Sequence, residues 1–146
     1  GVGTPPKVMS LSHTTLTRTI RIAAVVFRNN SGDVLSVRKT GTTSFMMPGG
    51  KVEASETPRH TAVREIAEEL HIELDPGRLD HVGRFRAPAA NESGFEVDCD
   101  VYQWPDPLTV LPEVFEEIAE AAWFPVSSTA AELAPLSRDV IFPRLL

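Results

Sequence analysis

Apolar positions recur along the chain in two spacings. Between Thr57 and Ile72 they follow a helical period. Set out at about 100° per residue, Val63, Ile66, Ala67 and Leu70 fall on one side, and Glu65, Glu68 and Glu69 gather on the other. Thr57 is placed to cap this helix and Pro58 suits its first position, because proline lacks the N–H that would be left unbonded there. The helix is predicted to start near Pro58. Elsewhere, runs rich in β-branched and aromatic residues and bounded by turn residues predict strands from Thr17 to Phe27, Val34 to Val37, about Leu79 to Phe85, and Phe95 to Trp104. Asn29-Asn30-Ser31-Gly32-Asp33 is expected to fold the first two into a hairpin, and Asp75-Pro76-Gly77 marks a turn after the helix. The small, polar segment Ala87 to Gly94 is longer than a tight hairpin needs and is expected to reach over a pocket. Leu136 to Leu146 reads as a further amphipathic stretch, broken by Pro143.

Bulk properties narrow the class. A chain of 146 residues is one domain with room for a substantial core. A formal net charge of −6 argues against a general binder of polymeric nucleic acid or of acidic membranes, both of which call for a basic surface. No apolar run approaches the length of a membrane span. The single cysteine, Cys99, has no internal disulfide partner and lies in a strand-like run, which reads as a buried reduced thiol and favours a cytoplasmic home. Residues 1–16 are expected to be a flexible tail without function, and residues 17–146 the domain. Residues 1–8 lack an initiator methionine and read as a remnant of expression or of processing ahead of Met9.

Carboxylates three and four residues apart on a helix repel one another by ~0.3 kcal/mol per pair. Arg64 lies four residues before Glu68 and can pair with it, yet one guanidinium cannot neutralise three carboxylates with Glu56 just upstream. Hard divalent cations prefer such oxygen clusters; Mg2+ takes a few protein carboxylates and keeps waters and substrate phosphates. An acidic helix face taken alone is usually just solvated. The residues around it decide otherwise.

From Gly50 to Ile72 the chain resembles the Nudix box: Gly, five residues, Glu, seven residues, Arg-Glu, an aliphatic, any residue, Glu-Glu, any residue, Gly, an aliphatic. Gly50, Glu56, Arg64, Glu65, Ile66, Glu68, Glu69 and Ile72 match. His71 stands where the family has glycine, at the position expected to be the left-handed residue ending the helix. Phe45-Met46-Met47-Pro48-Gly49-Gly50 matches the family's lead-in. Ala121-Ala122-Trp123-Phe124-Pro125 resembles its late strand before a final helix, which Ser127 or Ser128 would cap.

The resemblance implies an α/β fold, an α/β/α sandwich with a mixed β-sheet and the box as loop, helix and loop. The implied activity is hydrolysis of a nucleoside diphosphate linked to a group X, with Mg2+ as cofactor and Mn2+ as a substitute. Carried over residue by residue, Glu65, Glu68 and Glu69 are expected metal ligands, with the Gly50 carbonyl a further one. Glu56 is a nearby supporting carboxylate, and Arg64 orients the glutamates. The general base is Glu65, or else Glu117 or Glu116 on a later loop.

The leaving group is less constrained. Arg38 and Lys39 at a strand end, and Arg84 and Arg86 alternating along one strand, are candidate phosphate contacts; Phe45, Phe85 and Trp104 are candidate stacking partners for a base. Pro88 sits where it resembles a marker of ADP-ribose-type members, whereas the compact length favours a nucleoside triphosphate, oxidised or not. Nucleotide-sugar cleavage, a non-catalytic nucleotide-sensing domain and an isoprenoid-diphosphate isomerase using Cys99 are the competing readings. The expected partner is a small nucleotide, and a homodimer is compatible with the family.

Overall fold

The computed structural model describes residues 18–146, so the expected tail and Thr17 lie outside the described residues. Strand β1 (Arg18–Val26) is the centre of the molecule. It pairs in parallel with β6 (Phe95–Gln103) on one edge and antiparallel with β4 (Gly49–Lys51) on the other; β5 (Asp80–Pro88) adds antiparallel to β6. The order β4-β1-β6-β5 is therefore a mixed sheet. A second, antiparallel sheet is built from β2 (Val34–Lys39), β3 (Phe45–Met46) and β7 (Ile118–Phe124), in the order β3-β2-β7.

Both faces of β1 are covered. Ala23 and Val25 join a core with Leu35, Val37 and, from helix α1 (Pro58–Leu70), Ala62, Ile66 and Leu70. Ala24 and Val26 point the other way, into a core with Cys99, Val101, Leu136, Ile141 and Phe142. Alternate side chains of a strand face opposite sides, so a strand apolar at consecutive positions must be sandwiched. Helix α1 and the helical residues 136–145 supply the outer layers, which gives the expected α/β/α arrangement.

Helix α1 starts where predicted. The Thr57 side chain accepts from the His60 N–H at 3.2 Å and Pro58 opens the first turn. It ends at His71, left-handed with φ 54°. Asp75 caps the short 3-10 turn Pro76–Arg78, as the turn residues indicated.

Three expectations are corrected. β1 and β2 do not form a hairpin: both edges of β1 are taken by β4 and β6, so β2 joins the other sheet, and only the bridge Arg28 to Val34 connects them. Neither Ser127 nor Ser128 caps the last helix, because the chain turns again at Ala130 to Leu133 to bridge Leu133 to Phe45; that helix begins after Pro135 with no side-chain cap. Pro143 does not break it. Leu136–Ile141 is wound as a π-helix, with Phe142 N–H donating to Ser137 C=O, and this wider turn runs on into α2 (Phe142–Leu145) across the missing proline N–H.

Candidate active site

The site is assembled by α1 and two chain segments laid against it. Arg64 is its hub. Its guanidinium grips Glu56 with two hydrogen bonds, Nε to Oε2 at 2.6 Å and Nη2 to Oε1 at 2.9 Å. Its Nη1 donates to Glu65 at 2.9 Å and to Glu68 at 3.1 Å. Glu53 lies 3.5 Å away. This planar fork matches carboxylates in a way an ammonium cannot. Glu56 also accepts from the Thr61 hydroxyl at 2.9 Å and the Glu53 N–H at 3.1 Å. The hydrogen bonds from Arg64 hold the Glu56 carboxyl far down, at about 2, and the same contacts raise the arginine above its ordinary value.

Glu69 is different from the outer-face residue that the helical projection suggested. It is 2% exposed. Seven residues separate it from buried Ala62, which is two turns less about 20°, so it rides beside the apolar stripe. Its Oε1 accepts from Gly49 N–H at 3.2 Å, while Oε2 is buried with no partner. Burial, and then the nearby charge of Glu65, push its carboxyl up to about 9. An unpartnered carboxylate oxygen in the interior is a costly arrangement that a cation would relieve.

Two glycines make this possible. A Cβ at Gly49 would collide with the Ala23 carbonyl and Ala24, preventing the approach of β4 to β1; a Cβ at Gly50 would run into the Glu65 carboxyl. The Pro-Gly-Gly lead-in therefore lets backbone and carboxylates come together.

Against the last turn of α1 stands the loop before β7, with Phe115 N–H donating to the Glu69 carbonyl at 2.9 Å. Glu65, Glu68, Glu69, Glu116 and Glu117 line one cavity of about 210 Å³. Among the described residues no three His, Cys, Asp or Glu side chains are converged as a ready metal set. Glu65 and Glu68 instead turn toward Arg64. The chemistry of the donors nonetheless fits a hard divalent cation: all are carboxylates, they share one cavity, and one of their oxygens is buried and orphaned.

A second cavity, of about 110 Å³, adjoins Gly49 and Gly50 and is lined by Ile22, Lys39, Met46, Met47 and Asn91 among others. It shares Ile22, Ala24, Met46, Met47, Ala90 and Val97 with a smaller one of about 60 Å³ that reaches Pro88, Leu136 and Ser137. The Ala87 to Gly94 segment thus does border a pocket, through Ala89 to Glu92. In this otherwise apolar recess the Ser137 hydroxyl is buried and without a partner.

The other sequence-selected residues are placed elsewhere. Arg84 binds Asp98 through two hydrogen bonds of 2.8 and 2.7 Å; Arg86 pairs with Glu96 at 3.1 Å and with Asp98 at 3.5 Å. Asp98 alternates with Val97, a cavity residue, so this network lies on the opposite face of the sheet, together with Arg21, Asp100 and His81. Arg38 is engaged by Glu120 and by the Thr42 carbonyl, each at 2.8 Å. Phe45 is buried against Phe124, with Met46 and Met47 lining the recess in its stead. Arg144 covers the Phe85 ring and Arg78 covers Trp104. Cys99 is a free, fully buried thiol pushed by burial up to about 12, and it lines none of these cavities. Of the residues lining these cavities, Lys39 is a phosphate candidate already in the sequence, whereas Lys51 and Ser137 carry no sequence signal. Lys39 borders the cavity and stands 3.8 Å from Glu117, and Lys51 lines the same cavity beside Gly50.

Comparison with known proteins shows the family and the fold. A family model described as NUDIX domain matches residues 17–145. Over 62 residues the chain is 31% identical to an RNA pyrophosphohydrolase of Marinomonas sp., covering 42% of this chain and 37% of that protein. Over 57 residues it is 42% identical to an 8-oxo-dGTP diphosphatase of Haemophilus influenzae, covering 36% and 42%. The matches thus span about two fifths of the length of these curated relatives. Among solved structures, a MutT protein from Methanosarcina mazei superposes with a TM-score of 0.71 at 21% identity, over 88% of this chain and 94% of that one. A MutT NUDIX hydrolase from Burkholderia pseudomallei gives 0.66 at 22% identity, over 83% and 94%. These two likenesses are of fold. Among the described residues no helix is long and apolar enough to cross a membrane.

Proposed function

The chain belongs to the NUDIX domain family, and on that premise we propose that it hydrolyses a pyrophosphate bond in a nucleoside diphosphate linked to X, with Mg2+ as cofactor and a nucleoside triphosphate, oxidised or canonical, as substrate. The observation that carries the reading is Glu69, a buried carboxylate with an orphaned oxygen at the wall of a cavity lined only by glutamates. Glu65, Glu68 and Glu69 would hold the cation, with the Gly50 carbonyl beside them. When bound, the cation would screen the polyphosphate from the carboxylates, polarise its oxygens and acidify a water.

The chain's own residues divide the remaining work. Arg64 fixes the direction of Glu65 and Glu68 and ties them to Glu56. Glu116 and Glu117 face the same cavity, held by no arginine and with only Lys39 near Glu117 at 3.8 Å, which supports the loop rather than Glu65 as the source of the proton acceptor for the attacking water. Lys39 and Lys51, at the junction between carboxylates and recess, suit the phosphates. The recess suits a flat base, with Met46 and Met47 against it and the Ser137 hydroxyl as the polar group that reads its edge.

Ser137→Ala tests the base site. It removes an unpaired buried hydroxyl, so thermal stability should hold or rise, by ~1 kcal/mol at most. The ratio of kcat/KM between nucleotides differing at the base edge should shrink by ~10-fold. An unchanged ratio would place the base elsewhere.

A further inference from the structure

Among the described residues only two that are not glycine have a positive φ: His71 at 54° and Glu116 at 58°. For a glutamate this conformation is uncommon and strained, and it persists only where neighbours hold it. The two residues are joined to one another. The His71 imidazole lies flat on the Phe115 ring, with centroids 3.4 Å apart and planes 7° from parallel. Phe115 N–H donates to the Glu69 carbonyl at 2.9 Å, in the last turn of α1. Past Glu116 the chain is anchored again, by Thr40 N–H donating to the Glu117 carbonyl at 2.8 Å. Glu116 and Glu117 form the turn between these two anchors, closed by Ile118 N–H donating to the Phe115 carbonyl at 3.2 Å, and line the cavity with Glu65, Glu68 and Glu69.

A glycine at position 71 would end the helix at least as well, since it enters the left-handed region without a side-chain penalty. It would leave Phe115 without a ring to lie on. We propose that His71 is a positioning residue: by stacking on Phe115 it holds Glu116 in its left-handed conformation and sets where the Glu116 and Glu117 carboxylates stand over the cavity. The link to turnover rests on the hydrolase reading above; the anchoring of the loop does not. The stack needs the ring face, so another aromatic side chain should serve.

The test compares His71→Gly, His71→Asn and His71→Tyr with the wild type. Asparagine tolerates the left-handed region but brings no ring, so it separates the stack from backbone strain. In the cation-free protein, hydrogen exchange of the Phe115 and Thr40 amides should speed by ~10-fold or more in the Gly and Asn variants. The Ile66 amide, within α1, should not change, and the Tyr variant should behave as wild type. With nucleotide and Mg2+, kcat should fall by ~10-fold in Gly and Asn while KM stays within about twofold, and Tyr should restore it. His71→Gly added to Glu116→Gln/Glu117→Gln should bring no further loss, because the two changes act on one element. Wild-type exchange in His71→Gly and His71→Asn would overturn the anchoring. Faster exchange with unchanged kcat would overturn the positioning role. A wild-type chain that turns over no nucleotide would contradict the hydrolase reading, and the exchange rates would still judge the anchoring by themselves.

Discussion

Glu69→Gln is expected to lower turnover by ~10³-fold or more while leaving the cation-free protein at least as stable as the wild type. The two halves of this expectation have one origin. Glu69 is buried, one of its oxygens accepts from Gly49 N–H and the other meets no donor, and burial beside the Glu65 carboxylate pushes its carboxyl up to about 9. At neutral pH the cation-free protein therefore holds it protonated, and a neutral glutamine of the same shape replaces like with like. What glutamine cannot do is become an anionic ligand.

The pH dependence has a definite sign. Below about 4.5 the side chain is protonated whether the chain is folded or not, and Glu69 imposes no penalty. As pH rises from there to about 9, the unfolded chain releases the proton and the folded one keeps it, so the wild type loses stability across this window. The melting temperature of Glu69→Gln minus that of the wild type should thus be near zero at pH 4.5 and should grow toward pH 9 in chelator. Adding Mg2+ at pH 8 should raise the wild type and not the variant. A variant that unfolds at pH 7 without cation would show that Glu69 is structural.

Arg64→Ala should have the second largest effect, and on both fold and activity. Four carboxylates, Glu53, Glu56, Glu65 and Glu68, lose their shared cation at once. Removing one partner of a partly buried ionic cluster leaves the others uncompensated, and the melting temperature at pH 7 should drop by ~5–10 °C. Glu65 and Glu68 would no longer be aimed, so turnover should fall by ~10–100-fold, the range for losing a residue that orients ligands. Arg64→Lys should recover only part of either loss, since an ammonium cannot make the two-pronged bond to Glu56. Arg64 holds the Glu56 carboxyl at about 2, so this pair contributes above the ordinary carboxylate value of 4.5 and loses its contribution as pH falls toward 2. The gap between Arg64→Ala and the wild type should therefore narrow from pH 5 to pH 2.5. A gap that stays constant would mean that Arg64 stabilises through packing.

Local signals were legible in the sequence where one element sufficed to produce them. Thr57 and Pro58 mark the start of α1 through capping chemistry local to its first turn, and His71, at the family's glycine position, marks its end. The residues that depend on a neighbouring element were not. A helical projection gives Glu69 an angle and not what packs there; in the fold Gly49 N–H meets its carboxylate and the side chain is buried. Arg84 and Arg86 do share a strand face, but Asp98 and Asp100 alternate on the partner strand in register with them, and that pairing lies some fourteen residues away in sequence. The hairpin expected at Asn29 to Asp33 was overridden because β1 finds better partners on both edges. For the loop of Glu116 and Glu117, nothing in local spacing points to the cavity; only the fold brings it there.

Hydrolysis at this site is tested most directly by following the release of phosphate and pyrophosphate with Mg2+, and with chelator in its place. The panel should hold canonical and oxidised nucleoside triphosphates, ADP-ribose, dinucleoside polyphosphates, nucleotide sugars and a 5′-triphosphorylated RNA. Pyrophosphate and a nucleoside monophosphate should appear from nucleoside triphosphates, only with the cation, and not with Glu69→Gln. Silence across the whole panel, with Mg2+ and nucleotide still bound, would contradict hydrolysis and assign the domain to nucleotide sensing.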